Sequence, residues 1–220
     1  MKSPNNGHRQ ARSVETQAAI LAAAGSIFAK SGLAGARTDA IAAAAGVNKA
    51  LLYYYFKSKE GLYKAVLEDQ FREFNRQAMA VLTGPGSARE VILRYVSLHF
   101  DFISGRHQAA PLFQQMVMTG DKFAEEVVRK YFAPRGEALG RLVARGIRDG
   151  EFRQVDPFHA VMSIISLIVV YFSAARVLEL MGRSDVYRAA NLKRRKQEVL
   201  DFIRHGLFMN PKVSRNLIYL

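Results

Sequence analysis

The chain has 220 residues, 50% of them hydrophobic, and a formal net charge of +13. Such a length and apolar content can bury a substantial core, which excludes a disordered tail, and the charge calls for a polyanionic partner: nucleic acid, or an anionic membrane surface. With no cysteine, disulfides, thiolate chemistry and cysteine-ligated metals are excluded, which fits a reducing cytoplasm, and the N-terminus lacks the apolar stretch of a secretory signal.

Residues 1–12 carry Lys2, Arg9 and Arg12 and no acid. They read either as a flexible basic arm of the kind that lies in a minor groove or as a frayed terminus. From there the apolar period is helical almost throughout, which predicts an all-α fold. Ile20, Ala24, Ile27 and Phe28 form the stripe of a first helix, and Gly32 supplies its stop. Thr38 is the expected N-cap of a short alanine-rich helix, with Asp39 well placed against its dipole, and Gly46 ends it. Val47 turns back to the core and Asn48 caps the next helix. Two helices separated by about three residues have the geometry of a helix-turn-helix.

In the second of these helices Leu52 and Phe56 are expected to face inward, leaving Lys49, Ala50, Tyr53 and Tyr54 outside and near the N-terminal end. Successive residues are ~100° apart, so the run Tyr53, Tyr54, Tyr55 cannot lie wholly in a core. A lysine can donate to guanine O6 or N7, and a residue as small as Ala50 lets the backbone approach a base. Tyrosine hydroxyls donate to phosphates and position a helix without reading sequence. Ser58 restarts a helix, and Lys59 adds charge beside N–H groups already suited to phosphate.

The block from Thr16 to Leu67, with GARTDAIAAAAGVNKALLYYYFKSKEGLYKAVL at its centre, resembles the DNA-binding domain of the tetracycline-repressor (TetR) family of bacterial transcriptional regulators. The specific pattern is a Gly-Val turn, a polar residue and lysine, then Leu-Tyr, Phe and Lys-Ser-Lys-Glu-x-Leu. The resemblance implies an all-α homodimer with a three-helix DNA-binding domain, over residues 13–60, and a larger helical domain, over 61–220, that binds a small ligand and dimerises. On matching positions it implies that Thr38 touches phosphate and that Lys49 and Ala50 approach bases. Asn48, Tyr53, Tyr54 and Lys59 would anchor the DNA backbone, with Tyr55 a weaker candidate. At Leu51 the pattern loses a hydrogen-bonding side chain and keeps one that could only meet a thymine methyl.

Thr83–Ser87 (TGPGS) breaks the helical pattern. Beyond it we expect helices near 88–104, 109–119, 122–149, 157–182 and 185–209, with Pro134 kinking the third. The apolar run 160–175 is shorter than the ~20 residues a bilayer span needs. Candidate pocket residues are Tyr95, His99, Phe102 and Phe113, with Gln114, Met116, Met118, Met162 and Ser166. The preferred polar set, His99 with Gln114 and Ser166, suits a mainly apolar ligand that is uncharged or hydrogen-bonding. The two last helices are the dimerisation candidates, through Ile164, Leu167, Ile168, Tyr171, Leu200 and Ile203. The KRRK run at Lys193–Lys196 reads as a solvated face.

No HExxH, GxSxG or glycine-rich phosphate loop occurs, so neither catalysis, a metal nor a cofactor is expected. The expected function is a cytoplasmic, ligand-responsive repressor that binds a palindromic operator on double-stranded DNA as a homodimer, without membrane attachment. A nonspecific architectural DNA binder would differ by its indifference to sequence. A membrane-surface protein would differ by sedimenting with anionic vesicles.

Overall fold

In this computed structural model the described residues are 5–106, 113, 116, 118, 120, 122–182 and 185–209. Among them every element is helical, apart from an isolated antiparallel bridge between Phe152 and Phe208. The described residues of Met1–Phe71 and Pro111–Glu125 form one compact unit, and those of Arg72–Ala110 and Glu126–Leu220 another.

The N-terminal unit holds α1 (Asn5–Gly35), α2 (Thr38–Ala44), α3 (Lys49–Phe56) and the first half of α4 (Lys59–Leu82). The predicted stripe is its core: Ile20, Ala24 and Phe28 are fully buried, with Ile41, Leu52 and Leu62, and Phe28 meets Tyr63 edge to face at 5.2 Å. Burial of each large aliphatic chain contributes about 1.5–3 kcal/mol. Gly32, at φ 66° and ψ 175°, interrupts α1 where the stop was expected. The helix itself begins at Asn5, so residues 5–12, read above as part of a flexible arm, belong to α1. Ala11–Gly35 is long and apolar enough to cross a bilayer, but its Ile20, Ala24 and Phe28 are spent on this core.

The second unit holds the end of α4, then α5 (Ala88–Ser104), α6 (Lys122–Val127), which begins in the first unit, a π turn (Val128–Phe132), α7 (Ala133–Arg148), α8 (Pro157–Ser173), α9 (Ala175–Leu180) and α10 (Ala189–Leu207). The TGPGS break becomes a capping box: the Glu90 N–H donates to Ser87 Oγ and the Ser87 N–H to the Glu90 carboxylate. Glu151 reinforces that helix end by accepting the N–H groups of Ala88 and Arg89 at 3.0 and 2.9 Å. The kink expected at Pro134 takes the form of the π turn, whose wider ring accommodates the proline's missing N–H and bulk. The helix expected over 157–182 is two helices, because the backbone turns out of helical geometry at Ala174. The helix expected over 109–119 falls largely outside the described residues.

The core of this unit is built from α5, α7, α8 and α10 around Tyr95, Phe100, Leu139, Phe152 and Phe172. Ile164, Ile168, Leu200 and Ile203 belong to it, at most 7% exposed. Their assignment to a subunit interface is therefore corrected: they complete the chain's own core. The faces of α8 and α10 that stay exposed carry Phe158, Met162, Val170 and Phe202 instead.

Candidate nucleic-acid interface

The turn between α2 and α3 is closed by the backbone. Val47 N–H donates to the Ala42 carbonyl at 3.0 Å and Gly46 N–H to that of Ala43 at 3.1 Å, with Gly46 at φ 67°. This is the glycine-terminated helix end in which a left-handed residue satisfies two orphan carbonyls. Asn48 then caps α3, its Oδ1 accepting the Ala50 N–H at 2.8 Å. Thr38 is not a cap: it is the first residue of α2, and Arg37 occupies the cap position without a side-chain bond. The Thr38 hydroxyl instead lies 3.4 Å from that of Tyr53, joining the starts of the two helices' outer surfaces.

Leu52 is the buried contact of α3, while Lys49, Ala50, Leu51, Tyr53 and Tyr54 are exposed and Tyr55 is half-buried. Tyr54 is 69% exposed, with the Lys57 ammonium 5.6 Å over its ring. Lys49 forms a 2.8 Å ion pair with Asp39. That hydrogen bond holds the Asp39 carboxyl below its usual pKa and raises that of Lys49. Such an exposed pair contributes little stability, so Lys49 can exchange it for a base at small cost. Lys59 is differently engaged: its ammonium donates to the carbonyls of Ala34 and Ala36 at 3.2 and 3.3 Å, tying the end of α1 to the start of α4. What these groups offer collectively is an exposed surface of cation, hydroxyl and aromatic edge, built on a capped helix.

Residues 20–66 match the N-terminal model of the bacterial tetR-family regulatory proteins, and residues 89–203 match a tetracyclin repressor-like C-terminal domain. The chain belongs to the TetR family. It is 30% identical over 185 residues to the transcriptional repressor NicS of Pseudomonas putida, covering 81% of this chain and 85% of that one. The transcriptional regulator RutR of Escherichia coli is 31% identical over 153 residues, 66% of this chain and 68% of RutR. A transcriptional regulator from Saccharomonospora viridis, solved with choline, shares the fold at a TM-score of 0.72 with 21% identity, over 90% of this chain and all of its own. TetR-family regulators generally bind DNA as dimers and respond to ligands.

The C-terminal residues singled out from sequence are not all brought together. Tyr95, His99 and Phe102 are buried side by side on α5, with Tyr95 Oη 3.4 Å from His99 Nδ1. Phe113 packs edge to face on Phe71 in the N-terminal unit, Met116 is buried, and Met118 is exposed. Gln114 lies outside the described residues. Met162 and Ser166 sit on the exposed face of α8, away from the buried Val161, Ile164 and Ile168, so they do not join His99. Leu167 and Tyr171 are half-buried, and the Tyr171 hydroxyl donates to the Val186 carbonyl. Met162 and Ser166 are thereby corrected as partners of His99, since helical phase turns them outward.

Sequence reading missed Arg135, which is buried beside Tyr95 and His99. A signal was present: Arg135 is in phase with Ala138, Leu139, Leu142 and Val143, the buried stripe of α7, and a charge on an apolar stripe is the anomaly to look for. Burial and the Arg135 charge lower the His99 pKa to about 3, leaving its imidazole neutral. Burial also raises the Tyr95 pKa, so its hydroxyl keeps the proton. Among the described residues no three His, Asp or Glu side chains cluster as a metal site would require.

Proposed function

We propose that this chain is a repressor that binds a palindromic operator as a homodimer and is released by a small ligand held in its C-terminal unit. The observation that carries the reading is the outer surface of α3, where Lys49, Ala50, Tyr53 and Tyr54 stay exposed while Leu52 alone is fully buried. In a major groove Lys49 and Ala50 meet base edges, and Asn48, Tyr53, Tyr54 and Thr38 meet the phosphates on either side. Lys59 contributes by fixing α1 against α4 and so orienting the reading helix. Dimerisation uses the exposed apolar residues of α8 and α10, which flank a groove of about 370 Å³ lined by His159, Leu167, Phe202 and Gly206. Ligand favours a conformer in which the two reading helices no longer fit successive grooves, and the shift is bounded by its differential affinity for the two states.

The test is selection of bound genomic fragments by the purified protein at two salt concentrations. A two-fold symmetric motif that persists at the higher salt is expected. Salt-labile recovery without a motif would replace this reading with that of a nonspecific DNA binder.

A further inference from the structure

Among the described residues Arg135 is a buried cation without a counter-charge. It is 5% exposed, its guanidinium lies 4.8 Å from the Phe74 ring centroid and 4.7 Å from that of Phe132, and its Nη1 has no hydrogen-bond partner. No carboxylate among the described residues pairs with it. Glu73, on the same helix as Phe74, is taken by Arg76 and Gln77. The groups that do surround the guanidinium are polar and uncharged: the Tyr95 hydroxyl, and the His99 ring tilted over Phe74 at 4.6 Å. Burying a cation in this way is costly unless something pairs with it. A leucine would continue the α7 stripe without that cost, so the charge is kept for a group that the described residues do not supply. The π turn Val128–Phe132 lies immediately before Arg135 and includes Phe132, and such turns occur frequently at functional sites.

We infer that Arg135, Tyr95 and His99 anchor the carboxylate of a small monoanionic effector whose apolar body packs on Phe74, Phe102 and Phe132. The inference rests on the ligand-responsive reading above and names the class of ligand, replacing the uncharged one expected from sequence. Charge counting selects the class. Arg135 brings one positive charge, while Tyr95 and His99 are neutral, so a single negative charge is balanced and a phosphate dianion is not. The planar guanidinium fork matches a carboxylate.

The experiment is calorimetric titration of the full-length protein with acetate, butyrate, hexanoate, benzoate and phenylacetate, their primary amides, and inorganic phosphate. At least one monocarboxylate should bind, with its amide at least tenfold weaker and phosphate not competing. Arg135→Met should weaken that carboxylate at least tenfold, about 1.4 kcal/mol, while melting no lower than the parent protein, because it removes an unpaired buried charge. Tyr95→Phe, which keeps the ring, should weaken the acid and leave the amide unchanged. The proposal is overturned if no acid in the series binds, if an amide or phosphate binds as well as the acid, or if Arg135→Met keeps its affinity. It is equally overturned if Arg135→Met melts well below the parent and Arg135→Lys restores the melt, which would make the cation structural. Fragment selection on the same preparation separates the two readings. A motif without carboxylate binding overturns only the effector class, and carboxylate binding without a motif overturns only the operator reading.

Discussion

Gly61 gives the sharpest test of how the reading helix is held. It lies in the first turn of α4, and a methyl group built on it would sit 2.2 Å from the carbonyl oxygen of Phe56, near the end of α3. Ordinary contact between carbon and a carbonyl oxygen is about 3.3–3.6 Å, so Gly61→Ala must displace α3 or α4 by roughly 1 Å. The obstacle is backbone and cannot rotate away, and the Gly61 N–H is fixed by Ser58 Oγ at 2.9 Å. In an open helix the same change would stabilise by about 0.8–1.0 kcal/mol. Overpacking costs typically 1–3 kcal/mol. With a clash this deep the upper figure applies, and the net effect is a loss of about 2 kcal/mol. Since the displaced carbonyl belongs to the reading helix, operator affinity should fall about tenfold or more as well. Gly140→Ala on α7 is the control, because nothing lies within 4 Å of its added methyl, and it should stabilise by about 0.5–1 kcal/mol with operator binding unchanged. Urea melts followed by circular dichroism, with fluorescence anisotropy on the selected operator, measure both effects. Gly61→Ala melting with or above the parent, at unaltered operator affinity, would refute the reasoning.

Lys49→Ala should lower operator affinity about tenfold to a hundredfold and relax the preference at one base pair in each half-site. Competition with single-substituted operators checks it, and an undiminished preference places Lys49 outside base readout. His99 sets a pH dependence: its folded pKa is about 3 against ~6.5 unfolded. Stability is therefore full above pH ~6.5 and is lost as the pH falls toward 3, at up to about 1.4 kcal/mol per unit. His99→Gln should flatten that slope in urea melts between about pH 4.5 and 6.5, and parallel curves for the two proteins would contradict the burial argument. Phe202, 65% exposed on α10, should be a dimer contact. Phe202→Glu should then sediment as a monomer with its helical content intact, and a persistent dimer would move the interface elsewhere.

The N-terminal unit was legible from sequence because its signals are local. Gly46 needs a positive φ, Asn48 has a cap to make, and Leu52 is the apolar residue that helical phase turns inward; each of these acts within a few residues of itself. Thr38 missed its cap by one position, since the extended Arg37 takes that place. The partners of Asp39 and Lys59 could not be read, because Lys49 and the Ala34 and Ala36 carbonyls are reached across helices. In the C-terminal unit periodicity found the apolar stripes, and Ile164, Ile168, Leu200 and Ile203 do lie on them. Periodicity says only that a stripe is covered, and here the covering surfaces are the chain's own helices, α5 and α7 against α8, and α5 and α8 against α10.

The same distinction decides what the exposed residues of α8 and α10 mean. With Val161, Ile164, Ile168 and Phe172 of α8 filling the core, Phe158 and Val170 of the same helix stay 67% and 58% exposed. Exposed apolar side chains that the core does not use are candidates for an interaction site. In the homodimer proposed above, a second copy placed by a two-fold axis would present the same residues, so one self-complementary patch would cover both chains at once. Two reading helices must then sit about 34–36 Å apart to enter successive major grooves, and any change that the cluster around Arg135 imposes on its unit is felt by both copies. On the proposals made above, dimer contact and effector site are two demands on the same packed unit, and the buried Arg135 guanidinium beside His99 is the departure from apolar packing that the proposed ligand accounts for.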